Sequence, residues 1–291
     1  MQTEYSYLNG RLVPAGAALV SAADRGFLYG DGVFETLRAY GGRPFQLAEH
    51  VERLYRSAAL IGLELPWPDR AVREAVEAVL GANGLTEAYI RITVTRGEGV
   101  GIEPPAQAVP TLFVQASRLN IDDRVYQEGI GAVVARVRRN LPAAVPPQAK
   151  TLNYLNNILA HREARAAGAQ EAIMLNFEGT VAEGSMSNVF VVFRGELLTP
   201  PVATGIFPGL TRATVLRLAR EVGQPVAERP FGPELLLACD EVFLTNSVRE
   251  VVPVVRLNGR PVGAGKPGPV TRLLLAAYRD VVRGALGGPG R

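Results

Sequence analysis

Lys150-Thr151-Leu152-Asn153-Tyr154-Leu155 holds one of only two lysines in a chain of 291 residues. The other is Lys266, and every remaining member of the 31 basic residues is arginine. Arginine replaces lysine wherever a fixed charge is enough. It cannot do so where the group must shed its proton, because a guanidinium stays charged and an amine can be tuned toward neutrality. Schiff-base chemistry needs that neutral amine. Lys266 lies in Gly265-Lys266-Pro267-Gly268-Pro269, which reads as a turn. Lys150 is therefore the candidate nucleophile, and the segments on either side of it decide what scaffold carries it.

Working outward, helical and strand periods alternate. Upstream, Leu47, Val51, Leu54, Ala58 and Ile61 recur at helical spacing. Asp69 reads as the N-cap of a second helix that ends at Gly81 or Gly84. Residues 88–96 alternate, with Tyr89, Arg91, Thr93 and Thr95 on one face and Ile90, Ile92 and Val94 on the other. A loop over 97–105, a strand over 109–116 and a polar connection over 119–129 follow. Downstream come strands over 130–137, 171–176, 188–193 and 241–245, and helices over 154–167, 208–222 and 269–283. Mixed elements in two halves predict an α/β (α+β) enzyme scaffold, with a small domain over 1–118, a connection over 119–130 and a large domain over 131–291.

Composition narrows the function. The chain is 47% hydrophobic with a net charge of +3, and its charges are interleaved rather than clustered. It shows no basic stripe or reading motif of a nucleic-acid binder, no apolar run of membrane-spanning length, and no secretory pattern in Met1-Gln2-Thr3-Glu4-Tyr5. One cysteine, Cys239, and two histidines, His50 and His161, leave little material for a disulfide framework, a metal site or a Ser-His-Asp triad. Both histidines are expected on solvated helix faces. The expectation is a cytoplasmic enzyme with small-molecule partners, acting on neither nucleic acid nor membrane.

The other chemical groups suit an electrophilic cofactor. Pyridoxal phosphate asks for a lysine, an acid near the pyridine nitrogen and a cradle for the phosphate. Glu183, in Glu183-Gly184-Ser185-Met186-Ser187-Asn188 just before an apolar strand, is the best acid. Gly209-Leu210-Thr211 opens a helix and offers N–H groups and a hydroxyl to an anion. Taken singly, Glu183 also reads as a turn carboxylate and Thr211 as an ordinary helix-start residue.

At these residues the chain resembles the class IV, or fold-type IV, pyridoxal-phosphate enzymes: branched-chain and D-amino-acid aminotransferases, (R)-amine transaminases and 4-amino-4-deoxychorismate lyases. The resemblance runs from Tyr7-Leu8-Asn9-Gly10 through Asp24-Arg25-Gly26-Phe27-Leu28-Tyr29-Gly30-Asp31-Gly32-Val33-Phe34-Glu35-Thr36-Leu37-Arg38 and His50-Val51-Glu52-Arg53-Leu54. It continues through the lysine and Glu183 segments and closes with Pro208-Gly209-Leu210-Thr211-Arg212 and Asp240-Glu241-Val242-Phe243-Leu244-Thr245-Asn246-Ser247. It implies a two-domain fold with a barrel-like core in the larger domain, and a homodimer or higher homo-oligomer. It also implies that Lys150 is the Schiff-base lysine, Glu183 the acid at the ring nitrogen, and Arg53, Leu210, Thr211 and Ser247 the phosphate cradle. Tyr154 matches the tyrosine near the phenolic oxygen, one residue closer to the lysine than usual, and Phe207 falls where a residue packs on the ring.

Within the family the motifs point two ways. Tyr89 and Arg91 match residues lining the substrate pocket of branched-chain aminotransferases, with Tyr29, Phe34 and Arg38 as further substrate residues by the same resemblance. Thr36, where that group carries glycine, resembles the lyases, in which its hydroxyl relays a proton during pyruvate elimination. Thr245-Asn246-Ser247 also resembles the lyases. The expected reaction moves an amino group between a small, branched-chain amino acid and a 2-keto acid. Lyase activity is the alternative, and a D-amino-acid or (R)-amine transaminase comes after it.

Overall fold

A computed structural model describes residues 4–287; Met1, Gln2 and Thr3, read above for a secretory pattern, lie outside them. The chain divides into two units, one running to Asn120 and taking in Ala149–Asn153, the other comprising Ile121–Gln148 and Tyr154 onward.

The first unit is a six-stranded sheet under two helices. Its strands are β1 (Tyr5–Leu8), β2 (Arg11–Pro14), β3 (Gly32–Tyr40), β4 (Arg43–Pro44), β5 (Ala88–Thr95) and β6 (Thr111–Arg118), in the order β2-β1-β6-β5-β3-β4. A short α1 (Arg25–Tyr29) precedes β3, and α2 (Leu47–Leu60) and α3 (Asp69–Asn83) follow β4. One sheet face, with Leu37, Ile90, Ile92, Val94, Leu112 and Val114, packs on the apolar stripes Val51, Leu54, Val72, Val76 and Val79 of the helices. Strand alternation thus buries one face and leaves the other for polar side chains. Asp69 is the first residue of α3 rather than its cap, because Pro68 takes the cap position with extended backbone; Gly84 ends the helix at φ 60°. The strand expected over 109–116 begins and ends two residues later.

The second unit holds β7 (Ile130–Val134), β8 (Glu171–Leu175), β9 (Val181–Gly184), β10 (Asn188–Phe193), β11 (Glu196–Thr199), β12 (Val226–Glu228), β13 (Glu241–Asn246), β14 (Glu250–Leu257) and β15 (Arg260–Pro261). The order is β12-β11-β10-β13-β14-β7-β8-β9, with β15 on β14, and β9 returns beside β10, so the sheet curls toward a barrel. Its helices are α4 (Arg124–Gln127), α5 (Leu155–Ala166), α6 (Leu210–Glu221), α7 (Leu235–Ala238) and α8 (Pro269–Ala285). α5 lays Ala160 and Ala164 on Ala172 and Met174. The connection read as 119–129 contains the single turn of α4. Strand β14 escaped the sequence reading because Pro253 interrupts its valine run; pairing with β7 starts only at Val254.

Candidate active site

Lys150 is held by its backbone. In the first unit the early half of β3 has an open edge, since β4 pairs only with Ala39 and Tyr40. The 150–152 segment fills that edge. Phe34 N donates to the Lys150 carbonyl (2.9 Å), Leu152 N donates to Gly32 O (2.9 Å), and Thr151 bridges to Val33. Lys150 N donates in turn to the buried Ser57 Oγ of α2 (3.1 Å). The approach needs Gly32, where a Cβ would lie 2.4 Å from Val94 O and 2.8 Å from Leu152 Cδ1. The Lys150 ammonium stands 4.6 Å from the centroid of the Phe34 ring, and the Arg91 guanidinium lies 3.9 Å from the same centroid.

Arg53 is anchored from the opposite face of β3. Glu35, fully buried between Phe34 and Thr36, accepts from Arg53 Nε (2.7 Å) and Nη2 (2.8 Å), and lies 2.8 Å from His50 Nδ1. His50 and Arg53, three residues apart on α2, point at one carboxylate. This corrects the expectation for His50, which is buried: the spacing that put it beside Glu49 and Glu52 in sequence turns it inward with Val51 and Leu54. Burial raises the Glu35 carboxyl, but the Arg53 charge, its hydrogen bonds and His50 more than reverse this, so Glu35 titrates well below the usual carboxylate range. Burial holds the His50 imidazole below its ordinary value, against the pull of Glu35 and with help from the Arg53 and Lys150 charges.

The polar face of the same sheet carries the expected substrate residues in register. Thr36 pairs with Arg91, Arg38 with Tyr89, and Phe34 with Thr93, so each pair shares a face. Arg91 Nε donates to Thr93 Oγ1 (3.2 Å). Arg38 forms an ion pair with Glu87 (2.9 Å) and lies over the Tyr40 ring. Tyr29 stands apart at the end of α1, where its hydroxyl accepts from Gly101 N (2.9 Å).

In the second unit, Glu183, Phe207, Leu210 and Thr211 gather around Asn188. Glu183 Oε2 accepts from Asn188 Nδ2 (3.1 Å) and Phe207 N (2.9 Å), and Asn188 Nδ2 also donates to Phe207 O (2.8 Å). Arg139 Nε lies 2.6 Å from Glu183 Oε1, an ion pair whose N–H is not aimed along the N···O line. α6 opens at Gly209, where a Cβ would meet Asn188 Oδ1 at 2.1 Å, and no side chain caps the helix. The Thr211 hydroxyl in its first turn is buried with no partner. Asn188 pairs with Thr245 across the ladder, bringing the end of β13 to the start of α6, and the Thr245 hydroxyl is likewise buried without a partner. Ser247 follows in the turn to β14, shaped by Asn246 Oδ1 accepting from Val248 N and Arg249 N. Tyr154 is the half-buried N-cap of α5.

Three groups escaped the sequence reading: Glu35 with His50, Arg139, and Glu171. The buried Glu171 accepts from the Ser185 and Ser187 hydroxyls and clamps the turn after Glu183. His161, expected at the surface, is half-buried, with Nδ1 3.4 Å from Ser185 Oγ and 3.9 Å from Glu171. No sequence signal marks Arg139 within Arg136-Val137-Arg138-Arg139. For Glu35 and His50, their alignment with Arg53 was available once β3 and α2 were paired.

Known proteins resemble this chain in sequence and fold. The branched-chain-amino-acid aminotransferase of Escherichia coli K12 is 34% identical, covering 97% of this chain and 94% of its own. The D-alanine aminotransferase of Bacillus licheniformis is 35% identical, covering 94% and 95%. The crystal structure of the branched-chain amino acid aminotransferase from Thermobaculum terrenum, in its PLP-bound holo form, superposes with a TM-score of 0.89 at 31% identity, covering 97% and 95%. The profile of the family described as "Amino-transferase class IV" matches residues 32–257. The chain belongs to the class IV aminotransferases.

Proposed function

We propose that this enzyme binds pyridoxal phosphate and transfers the amino group of a branched-chain L-amino acid to a 2-keto acid. The observation that carries the cofactor reading is the start of α6. An uncapped helix N-terminus with a buried, unpartnered Thr211 hydroxyl is a site built for an anion. Leu210 and Thr211 would offer backbone N–H groups to the phosphate, Ser247 a hydroxyl, and Arg53 a charge-assisted contact from a guanidinium whose plane Glu35 fixes. Glu183 would face the pyridine nitrogen, Phe207 pack on the ring, and Tyr154 approach the phenolic oxygen. When bound, the cofactor supplies the electrophilic carbonyl and the ring that draws electrons from the substrate Cα–H bond.

Lys150 Nζ is the group that would take the proton from the substrate Cα and hand it on to a different carbon, which needs a neutral amine near working pH. Its backbone, tied to β3 and Ser57, fixes the point from which Nζ reaches. Tyr89, Arg91 and Arg38, with Tyr29 and Phe34, are the proposed substrate contacts, and the Arg91 guanidinium suits a carboxylate. The branched-chain choice follows the relatives of that name and Tyr89 with Arg91. Thr36 is the observation that favours the second reading, pyruvate elimination from aminodeoxychorismate, since a hydroxyl stands beside Arg91 where branched-chain enzymes have glycine. The single free thiol, Cys239, fits a cytoplasmic enzyme. We propose a homodimer, because unit one exposes Phe27, Val100 and Ile102 on α1 and the loop that Arg25 ties to it.

The test is the visible spectrum of the purified, cofactor-loaded enzyme as single amino acids are added without keto acid. L-Leucine or L-valine should abolish the cofactor's visible band, and a 2-keto acid should restore it. A response to D-alanine alone would replace the branched-chain reading, and inertness to every amino acid with release of pyruvate from aminodeoxychorismate would install the lyase. Lys150→Ala should bind cofactor without the lysine-dependent band and lose turnover; near-normal turnover in that variant would sink the mechanism.

A further inference from the structure

We propose that Arg139 is a positioning residue that keeps Glu183 an anion, and so keeps the proton on the cofactor's ring nitrogen. This rests on the reading of Glu183 given above. Arg139 and Glu183 are both nearly buried, at 11% and 6% side-chain exposure, with Nε 2.6 Å from Oε1. Arg139 is itself fixed to the sheet, its backbone N–H donating to Leu175 O (2.9 Å). The other carboxylate oxygen accepts from the Asn188 amide and the Phe207 N–H. Both oxygens therefore face groups that favour the charged carboxylate over the protonated one. The two neutral donors orient the carboxylate, while Arg139 sets a full positive charge at ion-pair distance from it.

The consequence is electronic. A proton shared between a carboxylate and a pyridine nitrogen resides on the stronger base. A guanidinium against Oε1 makes the carboxylate the weaker base, so the proton stays on nitrogen and the ring stays a strong electron sink. Without Arg139, the carboxylate becomes more basic and draws the proton toward oxygen. No bond to carbon changes, and the only transfer is that of one proton between the ring nitrogen and Glu183.

The experiment loads the holoenzyme with pyridoxal phosphate labelled with ¹⁵N in the ring and reads the nitrogen's chemical shift. Arg139→Gln should move the signal toward the unprotonated pyridine value, and Arg139→Lys should restore most of the wild-type position. A fully protonated nitrogen in a folded, loaded Arg139→Gln variant overturns the inference. Because that variant leaves a buried carboxylate without its ion pair and can fail to fold, a second comparison uses Glu183→Gln with and without Arg139→Gln, which removes both charges together. If Arg139 acts through Glu183, the two nitrogens match; a further shift in the double variant overturns the proposal. A wild-type nitrogen that Glu183→Gln leaves unmoved would sink the Glu183 reading instead, and a protein that takes up no cofactor would sink the assignment of pyridoxal phosphate.

Discussion

A carboxylate as deeply buried as Glu35 persists in its charged form only because Arg53 meets it along two nitrogens and His50 supplies a third contact. Removing one partner of such a pair strands the other, a loss of about 3–5 kcal/mol. Glu35→Gln should therefore lower stability by that order in chemical denaturation, and should also weaken pyridoxal phosphate binding, because the Arg53 guanidinium loses the partner that sets its plane. Unchanged cofactor affinity in the folded variant would separate Glu35 from the phosphate. The pair also fixes a pH dependence. The His50 imidazole titrates lower in the folded than in the unfolded chain, so between its folded value and about 6.5 the unfolded chain binds more protons. Stability must fall as pH drops through that window, and the Glu35 contribution follows in stronger acid, since its folded value is depressed. His50→Asn, which keeps a donor at the Nδ1 position, should flatten the slope of Tm against pH below about 6.5; an unchanged slope would assign the acid sensitivity elsewhere.

At the level of elements, α6 and the 150–152 segment show what periodicity does and does not reveal. The start of α6 was legible: Pro208-Gly209-Leu210-Thr211 announces a helix N-terminus, and its chemistry is local. Lys150 stood out by rarity. What periodicity could not show was that residues 150–152 complete the edge of a strand more than a hundred positions earlier, because only the ladder reveals an open edge. His50 was misplaced for a related reason: the polar residues around it mark a solvated face unless a buried carboxylate waits opposite, and that carboxylate sits in another element. Because the Thr211 hydroxyl has no partner, Thr211→Val exchanges a buried, unsatisfied group for an apolar one of the same shape. The unloaded protein should then be no less stable, with Tm unchanged or raised. Affinity for pyridoxal phosphate should fall by roughly 10–100-fold, as expected for a hydrogen bond to a charged group worth about 1.5–3 kcal/mol. Equal affinity of variant and wild type would remove Thr211 from the cradle.

For the molecule as a whole, the mixed α/β character was readable from alternating periods, while β1, β2, β3, β4, β9, β11, β12, β14 and β15 were not: short or proline-interrupted runs carry too little pattern to separate from loops, and β3 is buried along nearly its whole length, so it shows little alternation. Ile102 is 89% exposed, Val100 79% and Phe27 76%, yet the backbone that presents them is well tied. Arg25 donates to the carbonyls of Gly101 (2.7 Å) and Ile102 (2.9 Å), pairs with Asp31 (2.8 Å), and lies over the Tyr29 ring, whose hydroxyl receives Gly101 N. Ordered backbone under exposed large aliphatics is the mark of a surface prepared for a partner, since a loop with no such role has no need of buried arginine contacts to hold its apolar side chains in water. A second copy of the chain is the proposed partner. Ile102→Asp places a charge on that surface and leaves intact the backbone carbonyl to which Arg25 donates, so the fold should be kept and the dimer weakened. Analytical ultracentrifugation across a dilution series should show the dimer dissociation constant raised by about tenfold or more, the loss expected at an interface hot spot. A variant that stays dimeric at the same dilution as wild type would move the interface to another face of the molecule.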